Sequence, residues 1–237
     1  RRIARLVTVS QVSAGEIARC FGVPPERIRV IHNGLDSALF RPRPHIARVP
    51  GRVLFVGNLQ DPNKGGVYLL RAMGRLLAQR GAASPVHLLV VSGGIRHWDW
   101  LNGHIAAQGL RGRIAFKFKI TPEELVDTYA TAEVAVSPSV FEGFGFPAAE
   151  AMACGLPLVA ARGGALPEVV GDAGVLVPAR DSAALADALG ALLDDPERRA
   201  RLGVLGRARI VAHFRWEEAA RQMVDFYREV IDAHHRF

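Results

Sequence analysis

The chain predicts an α/β fold, a parallel β-sheet with helices on both faces. Three observations lead there. Strand-like and helix-like segments alternate after Pro50, as they do when each strand hands over to a crossover helix. Residues 52–57, 87–92 and 134–137 are short apolar runs, the composition of strands buried on both faces. Between the first two, residues 65–80 place Leu69, Leu70, Met73, Leu76 and Leu77 on one helical face.

In chain order, residues 6–10 read as a strand, 13–21 as a helix and 27–31 as a second strand. A linker rich in Pro and Arg follows, Arg41-Pro42-Arg43-Pro44. The alternating part then runs through the strand at 52–57, the helix at 65–80 and the strand at 87–92. Gly93 and Gly94 lead to a helix ending near Gly109, and 114–118 form the third strand. Thr121-Pro122-Glu123-Glu124 is a helix start, with Thr as N-cap and Pro at the first position, where its missing N–H costs nothing. The strand at 134–137 feeds a helix whose first position suits Pro147. Strands at 158–160 and 175–177 follow, then helices at 182–193, 196–211 and 216–234.

Hydrophobic content of 49% with 22% charged residues describes a globular chain with a real core. No apolar run approaches the roughly 20 residues that span a bilayer. Cys20 and Cys154 show neither metal-ligand spacing nor a disulfide framework, so both are expected as small buried hydrophobes in a reducing, cytoplasmic protein. The net charge of +7 comes largely from Arg spread over Ala-rich helices, as in Arg198-Arg199-Ala200-Arg201, which is a solvated helix face. No zinc-finger spacing or RNP-type aromatic motif accompanies it, so no nucleic-acid partner is expected. A weak, salt-sensitive contact with an anionic membrane is compatible with the charge. His32, His45, His234 and His235 lack ligand spacing and read as surface or linker residues, and no Asp-x-Asp metal pair occurs.

The most informative stretch is Glu142-Gly143-Phe144-Gly145-Phe146-Pro147-Ala148-Ala149-Glu150. Glu142 sits on the loop leaving a strand, and Glu150 lies about one turn into the next helix. A strand, a glycine loop and a helix N-terminus favour an anion, because unpaired N–H groups and the helix dipole point at it. Carboxylates accept hydrogen bonds from hydroxyls. Phosphate on the backbone and a polyol on the carboxylates together describe a nucleotide-sugar. Gly143 and Gly145 are expected to allow positive φ and close backbone approach.

That stretch resembles the signature of glycosyltransferase family 4, retaining enzymes of the GT-B fold, in which a Glu, seven residues and a second Glu follow a strand. The likeness extends through Glu150-Ala151-Met152-Ala153, Gly155-Leu156-Pro157, residues 163–170 and 174–178, and earlier through 30–36. It implies a Rossmann-like donor domain over residues 51–215. Residues 1–50 would be the tail of an N-terminal acceptor domain, otherwise missing, with its linker; 216–237 would be a helix packing back toward that domain. Glu150 would accept from the ribose 2′ and 3′ hydroxyls. Glu142 would face the sugar and stabilise the charge developing at its anomeric carbon, while the N–H groups of Phe144, Gly145 and Phe146 add donors.

The family usually carries an Arg after the first strand of this domain and a Lys before the next glycine, both clamping the diphosphate. Lys64 matches, but Asn58 stands where the Arg is usual, removing one cation from leaving-group stabilisation. The base is expected near Gly93 and Gly94 and around Lys117–Ile120, and Gly163-Gly164 resembles a second phosphate-side loop. The implied function is transfer of a sugar from a nucleoside-diphosphate sugar to a hydroxyl acceptor in glycan or glycolipid synthesis. No cofactor and no metal are expected. A non-catalytic nucleotide-sugar module is the alternative that Asn58 suggests. A dinucleotide-dependent dehydrogenase is disfavoured, since no strand precedes G-x-G-x-x-G.

Overall fold

The structure, a computed structural model, describes residues 5–234. The N-terminal unit is β1 (Leu6–Thr8), α1 (Gln11–Phe21) and β2 (Ile28–Val30), with the two strands parallel. The helix starts two residues before the expected Ser13, because Ser10 is the cap and accepts from Ser13 N. Gly22 ends it in a left-handed conformation at φ 62°. Cys20 is exposed, contrary to expectation. The cause is local: α1 buries none of its residues, so it offers no core to receive a thiol.

The main sheet holds β3 (Arg52–Val56), β4 (His87–Ser92), β5 (Ile114–Phe118), β6 (Val134–Ser137), β7 (Leu158–Ala161) and β8 (Val175–Val177). Its order is β5-β4-β3-β6-β7-β8, every pairing parallel. The helices are α2 (Gly66–Arg80), α3 (Trp98–Ala107), α4 (Pro122–Ala130), α5 (Phe146–Ala153), α6 (Leu166–Val170), α7 (Ser182–Asp194), α8 (Pro196–His213) and α9 (Trp216–His234).

Strand period divides the core into two layers. In β3, Val53 and Phe55 face one side with Leu69, Met73, Leu101 and Leu189 of α2, α3 and α7. Leu54 faces the other, with Val126, Tyr129, Met152 and Ile210 of α4, α5 and α8. Both faces are therefore covered, as a parallel sheet requires. Thr121 and Glu124 form a reciprocal capping box at α4, as the sequence signalled. Helix α6 was not expected. Its five residues are too few to show apolar periodicity, and Gly163, Gly164 and Pro167 mask them as loop.

The chain winds outward from β3 through β4 to β5, then returns through α4 to lay β6 on the other side of β3. The winding sense reverses between β3 and β6. In open α/β sheets this switch point leaves a crevice at the carboxyl ends of the two strands, where ligands bind. Leu35 N donates to Phe214 O at 2.8 Å, so the linker after β2 runs beside the turn into α9. Arg29 pairs with Glu229 of α9 at 2.8 Å.

Candidate active site

Three loops meet at the crevice. The one after β3 is shaped by its own side chains: Asn58 Oδ1 accepts from Gln60 N at 2.9 Å, and Asp61 Oδ1 from Asn63 N at 2.8 Å. Asn63 O then accepts from Val140 N at 2.7 Å, which lays this loop on the one leaving β6. From the other side Ala165 N donates to Glu142 O at 2.8 Å. Gly164, at φ +57°, lets that approach happen, since a Cβ there would collide with the Glu142 backbone.

This packing brings Lys64 and Glu142 together. Lys64 Nζ donates to Glu142 Oε1 at 2.7 Å, and Ser139 Oγ donates to the same oxygen at 2.8 Å. Ser139 is buried, and the Glu142 side chain is only 12% exposed. Oε2 of Glu142 has no protein donor among the described residues.

The loop continues into α5. Gly145 is its N-cap at φ 101°, and a Cβ there would lie 2.7 Å from Leu166 Cδ2. Gly143 has no positive φ and open space around it, so the expectation fails there: this glycine is not needed by the backbone. Helix α5 begins at Phe146, which makes Pro147 its second residue rather than its first; an N–H would be unpaired there as well. The N–H groups of Phe144, Gly145 and Phe146 donate to no protein acceptor among the described residues. The Phe144 ring itself is buried against Phe146 and Phe214, so only its backbone faces the crevice.

Glu150 follows on α5, with Oε2 accepting from Tyr129 Oη at 2.8 Å. Burial pushes the Glu150 carboxyl above the ordinary range, and the Tyr129 hydrogen bond works against that rise. Burial also pushes the Cys154 thiol up to about 12, with the Glu150 charge adding to the effect. This thiol is inert.

The other expected residues lie farther out. Gly93 is exposed with open space around it. Lys117 is on the edge strand β5 and donates to Thr128 Oγ1 of α4 at 3.1 Å, apart from the Lys64–Glu142 pair. A cavity of about 780 Å³ opens beside the loops after β3 and β4, lined by Gln60, Pro62, Arg96, His97, Trp98 and Trp100. Neither Gly93 nor Lys117 lines it. Gln60 ties those loops together, donating to His97 O at 2.7 Å and accepting from Arg96 N at 2.9 Å. A larger cleft of about 840 Å³ lies between the linker and α8; it includes Cys154 but none of Lys64, Glu142 and Glu150.

Sequence reasoning missed Ser139, Tyr129 and Gln60. Nothing in the local sequence distinguishes a Tyr or Ser that holds a carboxylate from one that fills space. His32 lies in the linker after β2, as expected, but it is engaged: Nε2 lies 3.2 Å from Glu168 Oε2 and its ring meets Phe214 edge-on. Glu168 in turn accepts from Gln11 N and Val12 N, both at 2.9 Å, at the start of α1. Burial alone would raise the Glu168 pKa, but those two N–H groups and His32 outweigh it and hold the carboxyl below its usual range. His45 is exposed, and His235 lies outside the described residues.

Among the described residues no cluster of His, Cys, Asp and Glu could hold a metal ion, and no helix is long and apolar enough to cross a membrane.

A six-stranded parallel sheet with Lys64 and Glu142 paired at its switch point, and Glu150 on the helix that follows, defines an open, doubly wound α/β class. Residues 50–195 match the family described as "Glycosyl transferases group 1", and residues 1–39 match "Glycosyltransferase Family 4". The chain belongs to the group 1 glycosyltransferase family. It is 40% identical over 234 residues to MMP alpha-(1->4)-mannosyltransferase of Mycolicibacterium hassiacum, covering 98% of this chain and 55% of that protein. It is 37% identical over 243 residues to D-inositol 3-phosphate glycosyltransferase of Acidothermus cellulolyticus, covering 96% and 53%. Sucrose-phosphate synthase from Thermosynechococcus elongatus superposes with a TM-score of 0.81 at 31% identity, over 96% of this chain and 58% of that one. The chain thus spans about half the length of the curated relatives it matches.

Proposed function

We propose that this chain is the donor-binding part of a retaining glycosyltransferase that moves a sugar from a nucleoside diphosphate to a hydroxyl acceptor. The observation that carries the reading is the meeting of Lys64 and Glu142 at 2.7 Å beside the N-terminus of α5, with Glu150 on the same helix. Lys64 and the N–H groups of Phe144, Gly145 and Phe146 take the diphosphate. They are most valuable in the transition state, when charge builds on the departing phosphate. Glu142 holds sugar hydroxyls through its free Oε2 and faces the positive charge that develops at the anomeric carbon. Glu150 takes the ribose diol. Asn58 supplies no charge and shapes the loop through Gln60 N instead.

Leaving-group stabilisation is thereby assigned to Lys64 and a helix N-terminus, without a metal. Retention follows from the likeness to retaining enzymes. The acceptor would be held by an N-terminal domain beyond these residues, with residues 1–50 as its tail, the donor domain at 51–215 and the helix from 216 returning to it. The work would be done in the cytoplasm, with the basic surface of +7 net charge resting against anionic lipid. Transfer assays with the full-length protein and its Glu142→Gln variant test the reading. Sugar transfer that falls about 100-fold or more in the variant supports it; transfer unchanged by the substitution removes it.

A further inference from the structure

Tyr129 is buried beneath the crevice, yet its hydroxyl reaches a carboxylate of the proposed donor site. Its ring is 1% exposed and packed in the core layer with Val126, Ala148 and Met152. Its hydroxyl lies 2.8 Å from Glu150 Oε2 and 3.3 Å from Pro147 O. A phenol has one proton to give, and the shorter bond, to a carboxylate, takes it. Oε1 of Glu150 has no protein partner among the described residues. A Glu side chain otherwise turns freely at its last torsion, whereas a ring locked in a core cannot follow it.

We propose that Tyr129 is a positioning residue of the donor site: by holding Oε2 of Glu150 it aims Oε1 at the ribose diol. The inference rests on the donor reading above and adds to it a residue that acts without touching substrate. Tyr129 has a second effect on the same carboxylate. A diol donates, and a carboxylate accepts from it more strongly than a neutral carboxyl does; the phenol favours the charged form against the burial that opposes it.

The test uses the full-length protein and calorimetric titration with UDP, GDP and ADP. The nucleotide that binds best is then compared with its 2′,3′-dideoxy form. Wild type is expected to favour the ribose form about tenfold or more, the range of charge-assisted hydrogen bonds. Tyr129→Phe keeps the ring and is expected to bring the ratio to within about threefold of one while affinity for the dideoxy form stays put. A merely structural role would weaken both forms alike. The double variant Tyr129→Phe with Glu150→Gln removes the charge that the single Tyr change leaves buried without its donor. If Tyr129 acts through Glu150, its ratio equals that of Glu150→Gln alone. A wild-type ratio retained in Tyr129→Phe, or a further fall in the double variant, overturns the proposal alone. No nucleotide binding by wild type overturns it together with the donor reading.

Discussion

Lys64 Nζ and Glu142 Oε1 stand 2.7 Å apart, although 78 residues separate them in the chain. One follows β3, the other β6, and these strands are neighbours only because the sheet reverses its winding between them. The two charges satisfy each other. A nucleotide-sugar would part them, the diphosphate taking Lys64 and the sugar hydroxyls taking Glu142.

Lys64→Ala is therefore expected to act on the diphosphate rather than on the nucleoside. The dissociation constant for the nucleoside diphosphate should rise about tenfold or more, one charge-assisted bond being worth roughly 1.5–3 kcal/mol. The matching nucleoside should bind as before. Calorimetric titration of both ligands against both proteins measures this, and equal weakening of the two would contradict the assignment.

The role proposed for Glu150 comes at some cost to stability. Its folded pKa is raised, so the folded state prefers the protonated carboxyl more than the unfolded chain does. The sign follows: stability from this group is fullest below the unfolded glutamate pKa and is lost as pH rises through the folded value. At neutral pH Glu150→Gln removes a buried charge and keeps an oxygen for Tyr129. A gain of about 1 kcal/mol, or about 2–4 °C in Tm, is expected near pH 7, shrinking as pH falls into the carboxylate range. The same variant should lose nucleotide affinity. Thermal melts at about pH 4.5 and about pH 7 decide the first part.

Glu168 has the opposite sign. Its carboxyl is held low by Gln11 N, Val12 N and His32, so its contribution is present above the unfolded pKa and lost as pH falls through the folded one. It acts as a cap supplied from α6 to the first turn of α1. Glu168→Ala should cost about 0.5–2 kcal/mol locally, as cap removals do. Amide exchange at Gln11 and Val12 should quicken severalfold at pH 7, with β3 and β6 unchanged. Exchange unaltered in α1 would show that the cap is idle.

Much of the main sheet was legible. Residues 87–92 and 134–137 have the bounds the apolar runs suggested, because strands buried on both faces leave little else for Val and Leu to do, and the edge strands 114–118 and 175–177 match as well. Glu142 and Glu150 stood out by their spacing around a glycine loop and Lys64 by the family resemblance, and the fold pairs Lys64 with Glu142. Their other partners did not stand out. Tyr129 and Ser139 hold those carboxylates across folds of the chain, and a buried Tyr on an apolar helix face reads as core. Cys20 shows the limit from the other side: a free Cys is usually buried, but α1 packs in a unit with two short strands and has no interior to offer.

The central claim is a donor pocket at the β3–β6 switch point, and calorimetric titration of the full-length protein with UDP, GDP and ADP tests it most directly. One of the three is expected to bind near 100 μM, about 5.5 kcal/mol, and Glu150→Ala and Lys64→Ala should each weaken it about tenfold or more. No binding at millimolar concentration, or binding that both variants leave intact, would contradict the account.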